Sequence, residues 1–161
     1  MIKIDVINTS KAQRKFIEEA SRFYVKWLMP RVKNIEIDIE FERGLEKRTG
    51  NVALIDVEDR KYNSGYRSFI ITIDAGSSLQ RKLLALAHEM THAKQYYTGE
   101  MDISPLGFGY TIWMNKTYHE REIDYFNTPW EIEAYGREVG MFSRWIEQAR
   151  YEKKYKWATI R

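Results

Sequence analysis

Ser78-Leu79-Gln80-Arg81-Lys82-Leu83-Leu84-Ala85-Leu86-Ala87-His88-Glu89-Met90-Thr91-His92-Ala93-Lys94-Gln95-Tyr96-Tyr97-Thr98-Gly99 is the stretch from which the fold is read. Leu79, Leu83, Leu86, Ala87, Met90 and Tyr97 recur at helical spacing. Ser77 or Ser78 precedes them as a cap, and Gly99 follows as a stop, so the spacing predicts a long helix to about Tyr97 with one face in the core. His88 and His92 lie four residues apart and therefore point the same way. Glu89 projects about 100° away from His88 around the helix axis, beside the two rings and not between them.

Strands surround this helix. Residues 2–7 alternate Ile2, Ile4 and Val6 against Lys3 and Asp5. Ser10 and Gln13 form a capping box that opens a helix carrying Ala12, Phe16, Ala20, Phe23 and Trp27 on its apolar face, ended by Pro30. Residues 35–42 alternate Ile35, Ile37, Ile39 and Phe41 against four acidic residues, a half-buried strand with a wet face. The polar stretch Glu42 to Gly50 reads as a loop and Val52 to Val57 as a strand. Asp59 to Gly65 reads as a polar link, and Ser68 to Ile73 as the strand entering the long helix. Short links make antiparallel pairing the simplest expectation. After Gly99 come an irregular segment, a hairpin around Asn115-Lys116, and a last helix from Thr128-Pro129-Trp130-Glu131 to about Tyr155. In that start Thr128 caps, Pro129 occupies the first turn, and Glu131 completes the capping box. Ile132, Tyr135, Val139, Phe142 and Ile146 form the helix's apolar stripe. The whole is one α+β domain over residues 1–161: a small, mostly antiparallel sheet packed with three helices.

Composition narrows the chemistry. With 161 residues, 43% hydrophobic and 30% charged, the chain reads as one soluble globular unit. The longest apolar pieces, such as Phe69-Ile70-Ile71-Thr72-Ile73, are too short for a membrane span, and the N-terminus has no signal-peptide pattern. The absence of cysteine excludes disulfides, thiolate metal sites and thiol catalysis, and suits the cytoplasm. Twenty-six basic against 23 acidic residues give a net charge of +3. Both signs are spread along the chain, which is not a nucleic-acid-binding composition. The basic cluster is the tail, Lys153, Lys154, Lys156 and Arg161, read as a solvated end with a nucleic-acid contact as its alternative.

His88-Glu89-Met90-Thr91-His92 has the HExxH pattern, in which two imidazoles bind one zinc ion and the intervening carboxylate takes a proton from water. A catalytic zinc takes three protein ligands, so a third is required. Glu133 is the leading candidate: it stands in the first turns of the last helix, beside the small Ala134, with Glu131 engaged in the cap. Gly136 and Gly140 would let that helix approach the histidine helix closely. His119, the remaining histidine, is the rival ligand. Tyr125, Tyr135, His119 and Arg137 are candidate donors to a tetrahedral oxyanion. Trp113 and Trp130 read as packing residues.

His88-Glu89-Met90-Thr91-His92 followed by a helix with Glu133-Ala134 resembles the gluzincin branch of zinc metallopeptidases. The order of elements also resembles minimal zincins of ImmA/IrrE-like and SprT-like type. Lys94-Gln95-Tyr96 and Pro129-Trp130-Glu131-Ile132-Glu133-Ala134-Tyr135 are similar to small phage and prophage metallopeptidase-like proteins. The resemblance covers about residues 68 to 140. It implies a Zn2+-dependent peptidase with His88, His92 and Glu133 on the metal, Glu89 as general base, a protein or peptide substrate, and a place in the host cytoplasm. It also implies a peptide-binding strand beside the metal, by analogy residues 68–73. The chain departs from the pattern at Arg137, where many gluzincins carry an acidic partner, and it lacks the third histidine usual in SprT-like proteins. A DNA-associated protease and a non-catalytic protein-binding module stand as alternatives.

Overall fold

The computed structural model describes residues 1–60 and 65–152. The order is β1 (Ile2–Ile7), α1 (Lys11–Leu28), β2 (Ile35–Glu42), α2 (Leu45–Thr49), β3 (Ala53–Arg60), β4 (Tyr66–Asp74), α3 (Leu79–Thr98), β5 (Met101–Ile103), β6 (Tyr110–Trp113), β7 (Lys116–His119) and α4 (Pro129–Tyr151). A short 3-10 turn, Tyr125–Asn127, leads into α4. The α+β class expected from the sequence holds, and none of the described helices is long and apolar enough to cross a membrane.

The main sheet runs β1-β2-β4-β3 and is not mostly antiparallel. β1 pairs parallel with β2, and β2 parallel with β4; β3 alone runs antiparallel, against β4. The reason is the length of the connections. An 18-residue helix between β1 and β2 carries the chain back to its starting end, the crossover that parallel strands require. β3 and β4 then form a hairpin whose second strand enters between β2 and β3. β4 is thus interior, and β3 is the terminal strand of the order. A second, antiparallel sheet, β5-β6-β7, follows α3.

One face of the main sheet builds the core. Ile4, Val6, Ile35, Ile37, Ile39, Phe69, Ile71 and Ile73 are buried with residues of α1, α3 and α4 in one cluster. Ser10 caps α1, its hydroxyl accepting from Gln13 N at 3.2 Å, but the Gln13 amide does not reciprocate. The buried face of α1 is Phe16, Ile17, Ala20, Ser21, Tyr24 and Val25, whereas Trp27, expected inside, is 48% exposed. The expected loop after β2 contains α2, enclosed by Gly44 and Gly50 in the left-handed region. The hairpin turns at Met114-Asn115, both at positive φ, one residue earlier than expected. The expected extension of α4 to Tyr155, the basic tail and most of the link after β3 lie outside the described residues.

α4 presents only part of the expected stripe to the core, Phe142 and Ile146, which pack against it half-buried. Glu131, Ala134, Met141, Trp145 and Ala149 are buried, while Ile132 and Val139 are each 57% exposed. Ile132-Tyr135-Val139-Phe142-Ile146 and Glu131-Ala134-Glu138-Met141-Trp145-Ala149 are neighbouring stripes one residue apart, about 100° of rotation. The second faces inward because α3 offers it two histidines on one side and an apolar surface on the other. Gly136 and Gly140 lie on the open side, where an added Cβ would meet nothing within 4 Å. They do not mediate the approach of the helices; Ala134, fully buried, occupies the contact.

Candidate metal centre

α3 is held at both ends. The Ser78 hydroxyl accepts from Arg81 N at 3.4 Å, and Gly99 closes the helix at φ 77° with its amide donating to the Tyr96 carbonyl. His88, Glu89 and His92 are all buried in its middle, where α4 crosses. The two imidazoles stand edge to face, 4.9 Å between ring centroids, as residues four apart should.

The first turn of α4 brings up the third group. Glu131 is buried, with Oε2 3.2 Å from His88 Nε2 and Oε1 3.4 Å from His92 Nε2. The two Nε2 atoms are 3.1 Å apart. Zinc–nitrogen and zinc–oxygen bonds of 2.0–2.2 Å at tetrahedral angles demand ligand atoms about 3.3 Å from each other; the two Nε2 atoms lie near that spacing, and each has a different oxygen of Glu131 at a similar distance. Among the described residues, His88, His92 and Glu131 form the group able to hold a metal ion.

The carboxylate beside the histidines is thus Glu131 and not the expected Glu133. Glu133 is not in the cluster: its carboxylate receives Lys94 Nζ at 2.9 Å, Gln95 Nε2 at 3.0 Å and Arg137 Nε at 2.8 Å. Glu131 is not a capping residue. Thr128 provides the cap position by its backbone alone, while its hydroxyl donates to the Tyr125 carbonyl at 2.7 Å. Residues two apart on a helix project about 200° from each other, so only one of the two carboxylates can reach the histidine pair, while the other meets Lys94 and Gln95 further along α3. His119, the rival, packs against Tyr110 at 4.4 Å with Nδ1 accepting from Arg121 N.

The remaining ring nitrogens are engaged. His88 Nδ1 lies 2.9 Å from Glu138 Oε2, and His92 Nδ1 lies 2.8 Å from Gln95 Oε1. With hydrogens on both Nδ1 atoms, both Nε2 lone pairs converge on the Glu131 carboxylate, whose Oε2 is buried without a hydrogen-bond partner. Lone pairs so close call for a positive charge among them, and the donor set of two imidazoles and a carboxylate fits a divalent metal of borderline softness. In the protein alone a proton fills that need. Burial opposes charge on His88, but Glu131 and Glu138 raise its pKa to about 9. Burial likewise opposes ionisation of Glu131, which His88, His92 and Tyr125 overcome, bringing it down to about 2. Glu138 and Gln95 went unread in the sequence; the available signal was that Glu138 falls on the same stripe as Glu131 and Ala134.

Glu89 lines a cleft of about 540 Å3 together with His88, His92 and Glu131. Burial pushes its carboxyl above the usual range, against the pull of His92 and His88. The cleft also contains Ala53, Leu54 and Ile55 of β3, so its sheet wall is the terminal strand. The expected peptide-binding strand, residues 68–73, is β4, which has a neighbour on each side. Of the four proposed oxyanion donors, Tyr125 and Tyr135 line the cleft. The Tyr135 ring lies 4.6 Å from that of His88. Burial and then Glu131 raise the Tyr125 hydroxyl, which keeps it a donor. Arg137 is bound to Glu133. Trp113 and Trp130 pack on each other at 6.1 Å, and Trp130 also lines the cleft. Comparison with protein-family models, with curated proteins and with solved structures finds no match for this chain.

Proposed function

We propose that this protein is a zinc-dependent hydrolase of peptide bonds, in line with the gluzincin-like pattern of its sequence. The observation that carries the reading is the convergence of His88, His92 and Glu131, one ligand atom from each within 4.8 Å of the others, with the Glu89 carboxylate beside them in an open cleft. Zinc bound there would supply Lewis acidity, making water more acidic and a carbonyl carbon more electrophilic. Glu89 takes a proton from the attacking water as its oxygen adds to the carbonyl carbon, then passes it to the nitrogen as the C–N bond breaks. Burial suits Glu89 to both steps by raising its proton affinity toward the working pH. The outer edge of β3 offers backbone donors and acceptors to an extended chain, which supports a peptide over a compact substrate. Tyr125 and Tyr135 are the donors closest to hand for the oxyanion.

Glu89→Gln tests the assignment. The amide keeps the shape of the side chain but cannot accept the proton, so zinc remains bound while hydrolysis falls by about 10²–10⁴. A peptide-library digest with zinc content measured in parallel reads both. Hydrolysis that survives in the zinc-loaded variant would refute the role of Glu89.

A further inference from the structure

Gln95 is buried one turn after His92, and its amide could face that ring by either end. Two acceptors decide which. The Trp130 carbonyl at 2.9 Å and Glu133 Oε2 at 3.0 Å each take a hydrogen from Nε2, which has two to give. Oε1 is thereby turned toward His92 Nδ1, at 2.8 Å. A ring nitrogen facing an amide oxygen must carry the hydrogen, so the lone pair resides on Nε2, the atom aimed at Glu131. Glu133 is itself fixed: Lys94 and Arg137 both hold its Oε1, leaving Oε2 for Gln95. Lys94 is in turn paired with Glu100 at 2.5 Å, which anchors the network to the turn after α3.

We infer that Gln95 and Glu133 form a clamp that sets the orientation and tautomer of His92, so that Glu133 serves the metal as a positioning residue and not as a ligand. The two histidines are supported differently. His88 meets the carboxylate of Glu138 directly, whereas His92 meets an amide whose direction a more distant carboxylate dictates. An amide cannot by itself choose which atom it presents, and an acceptor-only group behind it removes the choice. The inference rests on the metal-centre reading and adds the source of His92's ligand geometry.

The test measures zinc affinity of the full chain by chelator competition, and the visible spectrum of the cobalt-substituted protein. Gln95→Leu is expected to weaken zinc binding about 10–100-fold and to alter the cobalt bands, and also to lower the melting temperature of the metal-free protein, since it leaves the Trp130 carbonyl, Glu133 and His92 without their partner. Gln95→Glu alone sets two carboxylates against each other and also loses affinity. The exchange Gln95→Glu with Glu133→Gln restores a donor facing an acceptor between the two side chains and keeps an oxygen toward His92, while the Trp130 carbonyl loses its donor. It is expected to bind zinc at least about fivefold more tightly than Gln95→Glu alone, a coupling that independent sites would not show. This isosteric pair carries the comparison if Gln95→Leu does not fold. Wild-type affinity and spectrum in Gln95→Leu would overturn the clamp, and Gln95→Glu binding as tightly as the exchange would remove Glu133 from it. A wild-type protein that takes up neither zinc nor cobalt would instead overturn the metal centre itself.

Discussion

Replacing Glu131 by Gln separates the ligand from its neighbour two residues away. The amide retains shape and one oxygen but loses the negative charge that faces both Nε2 atoms at 3.2 and 3.4 Å. Four-ligand structural zinc sites bind with about 10–16 kcal/mol, or roughly 3–4 kcal/mol per ligand, which corresponds to a loss of about 10²–10³ in affinity. The loss is visible as stability. At zinc concentrations about 100 times the wild-type dissociation constant, the folded state gains about 2.7 kcal/mol. A variant weakened about 300-fold gains about 0.2 kcal/mol under the same conditions. For a domain of this size that is a zinc-induced rise in melting temperature of roughly 5–11 °C for wild type and under about 1 °C for Glu131→Gln. Paired thermal melts in zinc and in chelator, with zinc content by mass spectrometry, give both numbers. Glu133→Gln, which keeps an oxygen for Gln95, is expected to lose less than about tenfold. A larger loss in Glu133→Gln than in Glu131→Gln would refute the ligand assignment.

Other consequences can be checked without a substrate. His119→Ala is expected to leave zinc affinity unchanged in the same competition assay, since its ring is engaged with Tyr110 and Arg121. Zinc must displace the proton held on His88, whose pKa Glu131 and Glu138 raise to about 9 against burial, so affinity should climb about tenfold per unit between pH 7 and 8; a flat profile would contradict a protonated His88 in the metal-free site. In the metal-free protein the same raised pKa contributes stability that is full below the unfolded value of about 6.5 and is lost as pH rises through about 9, readable by denaturant melts in chelator. Gly65→Ala should destabilise by roughly 2 kcal/mol or more, because at φ 74° its Cβ would lie 2.5 Å from the Tyr97 carbonyl oxygen. Gly44→Ala, also at positive φ but facing open space, should cost only about 1 kcal/mol in a parallel thermal melt.

What the sequence determined by itself was local. The alternation of Ile35 to Glu42, the helical spacing from Leu79 and the four-residue interval of His88 and His92 are properties of a few consecutive residues, and β2, α3 and the paired imidazoles follow from them. The HExxH pattern also gave the expectation of a third ligand, for which the first turns of the last helix supplied one candidate, Glu133, and the hairpin another, His119. Strand direction could not be read so. Whether β1 and β2 run parallel depends on the crossover through α1, and β4 became interior only because the hairpin folded back between β2 and β3. The rotation of α4 was equally out of reach. Two stripes of suitable spacing lay side by side, and the more apolar one, Ile132 to Ile146, was the better local candidate for burial. The tertiary structure turned the other inward, because a buried carboxylate is tolerated where His88 and His92 meet it, and Trp145 and Ala149 complete the same face against the core. That rotation set Glu131 beside the two histidines and left Glu133 to hold Gln95, a distinction of two residues that packing between helices alone could decide.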